Sequence, residues 1–401
     1  MVMAVSCWGY HADDESRYDS PSCVCVCVYV CVCVYVQVLR GSGKERALLR
    51  VHAASTKCVN GIQIATKTID EGVNCVRYIA EMDMEERHHG RGGVDFIDVN
   101  CGCPIDEVAK RRGLGSALLR KPAKLERMLR GIVDGVEQMA METGRTMPVI
   151  TAKVRTSPAG DDKVNIDDIA RAVENAGCAM LTIHGRTANA RYSRAADWDT
   201  IQRIASSLSI PVVGNGDVLT LFDVQRRKRE YPDVHALMSG RGALIKPWLF
   251  REVIQDKEWF PTAEERVEIF WTLAKYMKDH FGDDEIGKKR AMYFLPWHFN
   301  FFHRYRALPE SKWAELGTAY PLIQSRIPDE EGPVSLLERL LRCPSEDAHL
   351  AIAHALWDAD DSNVAIEALE RVADEKLHVW DESMKEKREE REMVMREEGR
   401  G

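Results

Sequence analysis

The chain after Gly61 alternates between short apolar runs and longer stretches with helical periodicity. In residues 166–176, apolar side chains recur near positions i, i+3, i+4 and i+7, which is typical of an amphipathic helix. Six apolar runs have the length of buried strands, and they cover residues 61–65, 94–100, 148–154, 180–184, 211–214 and 235–238. Strands that alternate with helices in this way predict a parallel sheet with crossover helices.

Most of these runs end in a polar or glycine-rich motif, and this repetition favours one α/β architecture. A TIM (β/α)₈-type barrel builds its site from the carboxyl ends of successive strands, whereas a doubly wound sheet uses one or two switch points. Only six strand–helix units are visible. The sequence therefore predicts a TIM-type barrel that lacks its first two strands.

Residues 23–36 alternate strictly between Val and Cys or Tyr, and two interpretations stay open. Such alternation suits a β-strand. A translated TG-dinucleotide repeat gives the same pattern, and we favour this second interpretation. We therefore expect residues 1–45 to be an unrelated or mistranslated segment without a barrel element.

The strand pattern stops after Trp248, and helical periodicity follows. Helices are predicted over residues 263–280, 286–304, 335–342, 347–358 and 363–376. The expected domains are an incomplete barrel over residues 46–262, a helical domain over 263–380 and a charged tail over 381–401. Residues 23–39 form the longest uncharged apolar stretch, which is slightly short for a spanning helix. We expect no membrane association.

Composition narrows the class of protein further. The chain has 401 residues, 12 of them Cys, and no secretory signal pattern at Met1. Five of the cysteines lie in one run and the other seven are scattered, so reduced thiols and an intracellular location, cytoplasmic or nuclear, are expected. The net charge of -8 is uneven, because residues 329–401 carry 21 acidic against 10 basic residues.

A basic run at residues 110–130 is a candidate phosphate-binding surface. It contains eight basic residues and one acidic residue, Glu126. A solvated helix face is the alternative interpretation, although the imbalance favours an anionic partner. The candidate RNA-binding residues are Lys110, Arg111, Arg112, Lys121, Lys124 and Arg127.

Two kinds of motif carry candidate chemistry at the strand ends. Asn100-Cys101-Gly102-Cys103-Pro104 lacks further ligands at metal-binding spacing, so the alternatives are one reactive cysteine or a buried structural one. Lys153-Val154-Arg155 and His184-Gly185-Arg186 bring cations together, which favours an anionic ligand over a set of salt bridges.

The last two strand ends predict a phosphate site. Gly214-Asn215-Gly216-Asp217 and Ser239-Gly240-Arg241-Gly242 would follow strands seven and eight of a complete barrel. In barrels, the loops after these strands commonly bind phosphate through backbone N–H groups, and Arg241 adds a fork of donors.

The motif series, in this order, resembles that of the tRNA-dihydrouridine synthases, most closely a eukaryotic subgroup. The resemblance implies reduction of the C5=C6 bond of a uridine in tRNA, expected in the variable loop and possible also in mRNA, by FMN and NADPH. It implies that Cys103 protonates C5 and that Asn100, Arg155 and Arg186 contact the substrate. The FMN-binding residues that it implies are Gln63, Lys153, His184, Asn215, Gly216, Asp217, Gly240 and Arg241.

The sequence also departs from the family. The first two family strands, with their flavin-binding turn, are absent from residues 1–47, and Cys101 is a competing thiol beside Cys103. A monomer without bound metal is expected, with a helical domain that binds tRNA. Two other functions stay open: an FMN barrel that reduces a free pyrimidine, and a catalytically impaired RNA-binding remnant.

Overall fold

The computed structural model describes residues 2–8, 24–34, 59–88, 94–158, 164–190, 194–309, 311–314 and 333–397. The chain divides into two compact units. The barrel unit is built mainly from Met1–Ala243 and Trp248–Lys257, and the helical unit mainly from Glu258–Trp313 and Ile323–Gly401.

Eight strands close the barrel in chain order. They are β1 (Val2–Trp8), β2 (Val24–Val34), β3 (Val59–Ile64), β4 (Phe96–Asn100), β5 (Val149–Arg155), β6 (Leu181–His184), β7 (Val212–Asn215) and β8 (Ala236–Ser239). Each pair of neighbours from β2 to β8 is parallel. β1 is antiparallel to both β2 and β8.

The predicted fold class is confirmed by β3–β8, which are the six strands expected from the apolar runs. The expectation that residues 1–45 contain no barrel element needs correction, because β1 and β2 close the barrel between β8 and β3. The physical reason is the strand-forming pattern of residues 24–34, since alternating β-branched Val has high β-propensity and pairs readily with an unpaired edge. The antiparallel β1 still differs from the parallel strand of a regular (β/α)₈ barrel.

Helices alternate with the strands of the barrel unit. They are α1 (Ile69–His88), α2 (Pro122–Thr143), α3 (Ile166–Asn175), α4 (Trp198–Ala205), α5 (Leu221–Glu230), α6 (Arg241–Ile245) and α7 (Leu249–Gln255). Local capping starts several of them: Thr220 and Asp223 form a capping box at α5, and Asp197 accepts from the Thr200 N–H at α4. A π-helical turn over Glu107–Arg111 and a 3₁₀ helix over Gly115–Arg120 follow β4.

The strands bury two different faces. Ile97, Val99, Val154 and Ile183 belong to the apolar core, where they pack against the surrounding helices. Each such side chain contributes about 1.5–3 kcal/mol when fully buried. The alternate residues point into the barrel and are largely polar near the carboxyl ends of the strands. This second face positions the candidate site.

The helical unit has its own core. Its helices are α8 (Ala263–Phe281), α9 (Glu285–Phe302), α10 (Leu336–Leu341), α11 (Glu346–Asp358) and α12 (Ser362–Glu397). Phe270 stacks on Phe302 with ring centroids 4.3 Å apart, and the buried Arg266 pairs with Glu338. In the part of the chain that the structure describes, no helix is both long enough and apolar enough to span a membrane.

Candidate active site at the carboxyl ends of the strands

A buried chain of hydrogen bonds crosses β3, β4 and β5 inside the barrel. Thr151 Oγ1 donates to Asp98 Oδ1 at 2.8 Å, and Gln63 Nε2 donates to Asp98 Oδ2 at 2.8 Å. Asn100 Nδ2 then donates to Gln63 Oε1 at 2.9 Å. The strand register creates this chain, since Gln63 lies opposite Asp98 and Asp98 lies opposite Thr151.

Asn100 carries this network to the loop that holds Cys103. Its Oδ1 accepts hydrogen bonds from the backbone N–H groups of Gly102 at 3.2 Å and Cys103 at 2.9 Å. Asn100 therefore connects the barrel interior to the predicted proton donor. The sequence had predicted Asn100 as a substrate contact, and the structure shows that it also positions this loop.

The environment distinguishes the two thiols of the motif. Cys103 is partly exposed, and its carbonyl accepts from the Ser116 N–H at 2.9 Å. Cys101 is fully buried in the apolar core. Burial, followed by the nearby Asp98 carboxylate, raises the pKa of Cys101 well above its usual value. The expectation that Cys101 competes with Cys103 is therefore wrong, because its thiol is inaccessible and strongly favours the protonated form.

A cationic cluster surrounds His184 at the ends of β5, β6 and β8. We use this name for Lys153, Arg155, Arg186 and Arg241. The pKa of His184 is lowered strongly, first by burial and then by the charges of all four cluster members. His184 is thus neutral, and its Nε2 lies 3.3 Å from Arg186 Nη1. Since a guanidinium has only donors, Nε2 accepts and Nδ1 carries the proton.

Asp217 is the acid that orders this cluster. Arg186 Nη2 donates to both Asp217 carboxylate oxygens at 2.7 Å, and Arg241 Nη2 donates to Oδ1 at 3.2 Å. The Ala196 N–H donates to Oδ2 at 2.8 Å. The sequence placed Asp217 among the phosphate-binding residues, but the structure shows its carboxylate engaged by two guanidinium groups. Asp217 therefore fixes Arg241 and Arg186.

The predicted substrate contacts Arg155 and Arg186 are also held by the protein. Arg155 Nη1 donates to the Thr187 carbonyl at 2.7 Å. Arg186 is 2% exposed, and its Nε donates to the Arg194 carbonyl at 2.7 Å. The role of Arg186 as a substrate contact stays a prediction, since the structure shows its guanidinium engaged by the Arg194 carbonyl and Asp217.

The loop after β7 passes close to His184. Gly216 has φ +126°, and a Cβ at this position would lie 2.6 Å from the Ala196 Cβ, so only glycine fits without displacement. Trp198 Nε1 donates to the Gly216 carbonyl at 3.0 Å, and Asn215 Nδ2 donates to the Met238 carbonyl at 2.9 Å. Gly240 immediately precedes α6, whose first residue is Arg241.

Two parts of the site escaped sequence reasoning. Asp98 and Thr151 lie within β4 and β5, before the Asn100 and Lys153 motifs, and sequence reasoning assigned them no role. Ala196 lies between β6 and α4, and Trp198 begins α4. Their contacts with Asp217 and Gly216 form only in the folded chain. For the buried network, the available sequence signal was Asp98, an acidic residue inside the apolar run of β4.

The basic run after β4 contains residues that pair with nearby acids. Lys110 pairs with Asp106 at 2.9 Å, while Arg111 and Arg112 pair with Glu107 at 3.0 and 3.1 Å. Lys110 and Arg111 nevertheless remain exposed, as do Lys121, Lys124 and Arg127 on or beside α2. A cavity of about 220 Å³ lies at this surface, and its lining includes Lys67, Arg120, Lys121 and Lys124. The assignment of all six residues to RNA binding stays a prediction.

Within the described ranges, no group of three or more His, Cys, Asp or Glu side chains is arranged to hold a metal ion. The site instead combines one accessible thiol, a buried amide–carboxylate network and a cationic cluster. These groups suit an organic anion and a proton transfer.

Comparison with known proteins gives the family. The sequence model of the family described as "Dihydrouridine synthase (Dus)" matches residues 45–312. This chain belongs to the dihydrouridine synthase family. The resemblance inferred from the five strand-end motifs is confirmed.

Several relatives with longer chains resemble this member of the dihydrouridine synthase family. The Arabidopsis thaliana protein named "tRNA-dihydrouridine(47) synthase [NAD(P)(+)]-like" is 36% identical over 270 residues, which are 67% of this chain and 36% of the relative. The Homo sapiens protein of the same name is 32% identical over 270 residues, 67% of this chain and 38% of the relative. The Vanderwaltozyma polyspora tRNA-dihydrouridine(47) synthase [NAD(P)(+)] is 31% identical over 291 residues, 67% of this chain and 41% of the relative. The chain thus spans about two fifths or less of the length of these relatives.

Proposed function

We propose that this chain reduces the C5=C6 bond of a uridine in tRNA to dihydrouridine, using FMN as cofactor and NADPH as reductant. The variable-loop uridine is the proposed target, because the names of the relatives specify position 47. The observation that carries the proposal is the cationic cluster around the neutral His184. Its four cations, two of which are held by Asp217, favour an anionic ligand at the barrel mouth.

The residues around this cluster fit FMN. Arg241 and the backbone of Gly216 and Gly240 are proposed to hold the phosphate, since positive charge and close backbone approach both favour phosphate oxygens. Asp217 supports this end by fixing Arg241. Asn215 shapes the same loop through its bond to Met238.

The polar edge of the flavin is assigned to the other side of the site. Lys153 and His184 are proposed to contact the ring edge and ribityl chain, and Gln63 to hydrogen-bond the isoalloxazine. The buried network of Gln63 restricts its orientation, because both ends of its amide are engaged. A preorganised amide of this kind loses little conformational entropy on binding.

Cys103 is the proposed general acid. When bound, reduced FMN supplies the hydride that adds to C6 of the uracil. The Cys103 Sγ–H then gives its proton to C5, so that two hydrogens are added across the double bond. Partial exposure lets solvent return a proton to the thiolate, whereas the buried Cys101 has no such access. Asn100 holds the Cys103 backbone during this step, and Arg155 with Asn100 would orient the uracil.

RNA binding is assigned to two basic surfaces. Lys121, Lys124 and Arg127 form the first, together with the adjacent cavity. The second lies in the helical unit and consists of Lys288, Lys289, Arg290, Arg304 and Arg306. The target uridine must leave the RNA stack to reach the barrel mouth, which costs a few kcal/mol. We further propose a monomer that acts in the cytoplasm or nucleus, with mRNA as an additional substrate.

The impaired-remnant alternative is based on the missing first two family strands, and β1 and β2 close the barrel in their place. Flavin content separates this alternative from an active enzyme. The reduction of a free pyrimidine is less favoured, since a small substrate needs neither basic surface.

Flavin content tests the proposal. The purified full chain should be yellow with the absorption spectrum of oxidised flavin, and NADPH should bleach it without oxygen. Reoxidation should accelerate when a tRNA transcript that lacks modified bases is added. A colourless protein that also fails to take up added FMN would refute the flavoenzyme assignment.

A further inference from the structure

The helix α9 presents an aromatic face that packing of the helical unit does not use. Tyr293 is 78% exposed and Trp297 is 38% exposed, although large aromatic side chains normally seek burial. The opposite face supplies the core of the unit through Ala291, Leu295, Phe299 and Phe302. Folding therefore requires one face of α9 and leaves the other available.

Three aromatic residues and one basic residue lie on this side of α9, and a second basic residue follows the end of the helix. Arg290, Tyr293, Trp297 and Phe301 are spaced three or four residues apart along one helix face. The half-buried Arg304 comes two residues after the last helical residue. We call these five residues the aromatic stripe. Trp297 and Phe301 contact each other with centroids 5.1 Å apart, and the Arg304 guanidinium lies 5.3 Å from the Phe301 ring centroid. The stripe is thus a row of rings with a cation near each end.

The charge around the stripe identifies the kind of partner. Residues 286–309 contain five Lys or Arg and no Asp or Glu, although residues 329–401 of the same chain carry a net charge of -11 (10 basic against 21 acidic). Protein–protein interfaces also favour Tyr, Trp, Phe and Arg, but they are depleted of Lys, and two of these five basic residues are Lys288 and Lys289. A polyanion with flat, stackable groups fits both the cations and the rings.

We propose that the aromatic stripe binds unpaired nucleotides of an RNA, with bases stacked on Tyr293 and Trp297 and phosphates near Arg290 and Arg304. Aromatic rings combined with cations are the usual means of binding single-stranded nucleic acid, because every base has a π face. A duplex keeps its bases stacked on each other and cannot offer them to these rings. The stripe therefore selects the looped or opened parts of a folded RNA. This inference rests on the proposed function, because it names how that RNA substrate is held.

Binding of two labelled RNAs to the full chain tests the proposal. The probes are a 12-nucleotide oligouridylate and a 12-base-pair RNA duplex, numbers that reflect the roughly 4–16 nucleotides of single-strand sites. Tyr293→Ala and Trp297→Ala should each weaken oligouridylate binding roughly 5- to 100-fold, the loss for a stacked base. The salt dependence should stay unchanged because the rings release no counterions. Arg290→Ala should lower the salt slope by about 0.7 for one lost phosphate contact.

Matched variants separate stacking from a loss of folding. Tyr293→Phe and Trp297→Phe should retain most of the affinity, since a phenyl ring still stacks. Tyr276→Ala removes an exposed tyrosine from the adjacent helix α8 and should not change binding. All variants should keep the thermal unfolding midpoint of the unmodified chain.

Three outcomes would overturn the inference. Equal affinity in Tyr293→Ala and Tyr276→Ala would remove the stripe from RNA binding, and equal losses for both probes would exclude stacking. Sedimentation that shows a dimer abolished by Trp297→Ala would assign the stripe to a second copy of the chain. Dihydrouridine formation is measured separately, so a chain that binds oligouridylate through the stripe but forms no dihydrouridine contradicts only the proposed function.

Discussion

At the scale of single residues, the site depends on side chains that are fixed before any ligand arrives. Asp217 fixes Arg186 and Arg241, and Asn100 fixes the backbone of Cys103. Such preorganisation strengthens binding because fewer rotamers are lost when the ligand is bound.

The first prediction concerns Arg241. Arg241→Ala should weaken FMN binding by roughly 1.5–3 kcal/mol, the usual contribution of a hydrogen bond to a charged group. Titration of apo-protein with FMN, followed by flavin fluorescence, measures this change. Arg203→Ala is the control, because Arg203 pairs with Asp167 at 2.5 Å and lies outside the site. Equal affinity in both variants would remove Arg241 from the phosphate site.

The sequence predicted which residues meet at the barrel mouth, but it did not show which of them contact each other. Strand ends must converge in a parallel barrel, so Lys153, His184 and Arg241 could be grouped from spacing alone. The bond between Arg186 and Asp217 spans 31 residues of chain, and no local pattern indicates that two predicted ligand contacts bind each other.

At the scale of elements, α2 and the segment before it show a similar limit of prediction from the sequence alone. The basic run was defined from residue 110 onward, and this boundary left out Asp106 and Glu107. One turn of π-helix places these acids beside Lys110, Arg111 and Arg112. The charge counted over residues 110–130 alone therefore overestimated the net positive charge of this surface.

The second prediction compares the two halves of this run. Neutralising the half on or beside α2 with Lys121→Gln, Lys124→Gln and Arg127→Gln should weaken tRNA binding and reduce the slope of log K against log salt by about one unit per lost phosphate contact. Neutralising the paired half with Lys110→Gln, Arg111→Gln and Arg112→Gln should have a smaller effect. Filter binding across a salt series measures both. A larger effect from the paired half would contradict the assignment.

The third prediction concerns β1 and β2, which close the barrel. A chain that begins at Arg46 should unfold at lower temperature and lose solubility, because β3 and β8 then become unpaired edges. Val28→Pro is a finer test, since Val28 lies in β2 between β1 and β3 and proline cannot donate to the ladder. Val28→Ile is the conservative control. Unchanged melting and flavin content in the shortened chain would show that the 24–34 run contributes no strand.

In β2, the alternating pattern of the sequence was given too little weight as a sign of a strand. A strict alternation of Val with Cys or Tyr favours a strand whatever the origin of the coding repeat. The sequence alone could not show that β3 would pair with this run and β8 with β1, because strand pairing depends on the whole sheet.

At the scale of the whole molecule, buried histidines with lowered pKa values should make the folded chain less stable in acid. Burial lowers the pKa of His303 in the helical unit from 6.5 to about 4, and burial also lowers the pKa of His349 beside it. Unfolded chains protonate these groups first, so the stability that they contribute is complete above pH 6.5 and is lost progressively as the pH falls toward 4.

The fourth prediction follows from the downward direction of these two pKa shifts. Unfolding of the helical unit should become easier between pH 6.5 and 4, by up to roughly 3 kcal/mol from His303, at about 1.4 kcal/mol for each pKa unit. His303→Gln should flatten this part of the stability curve, while His354→Gln, an exposed histidine of α11, should not. Urea unfolding at a series of pH values measures the effect. A curve unchanged by His303→Gln would exclude His303 as its source.

The central claim is that the barrel mouth reduces a uridine with Cys103 as proton donor. The most direct measurement is the amount of dihydrouridine in an unmodified tRNA transcript after incubation with the chain, FMN and NADPH, determined by mass spectrometry of the nucleosides. We predict that the unmodified chain and Cys101→Ala form dihydrouridine, whereas Cys103→Ala forms it roughly 10²- to 10⁴-fold more slowly with its flavin retained. Equal rates in Cys103→Ala and the unmodified chain, or no product from a flavin-loaded chain, would contradict the account.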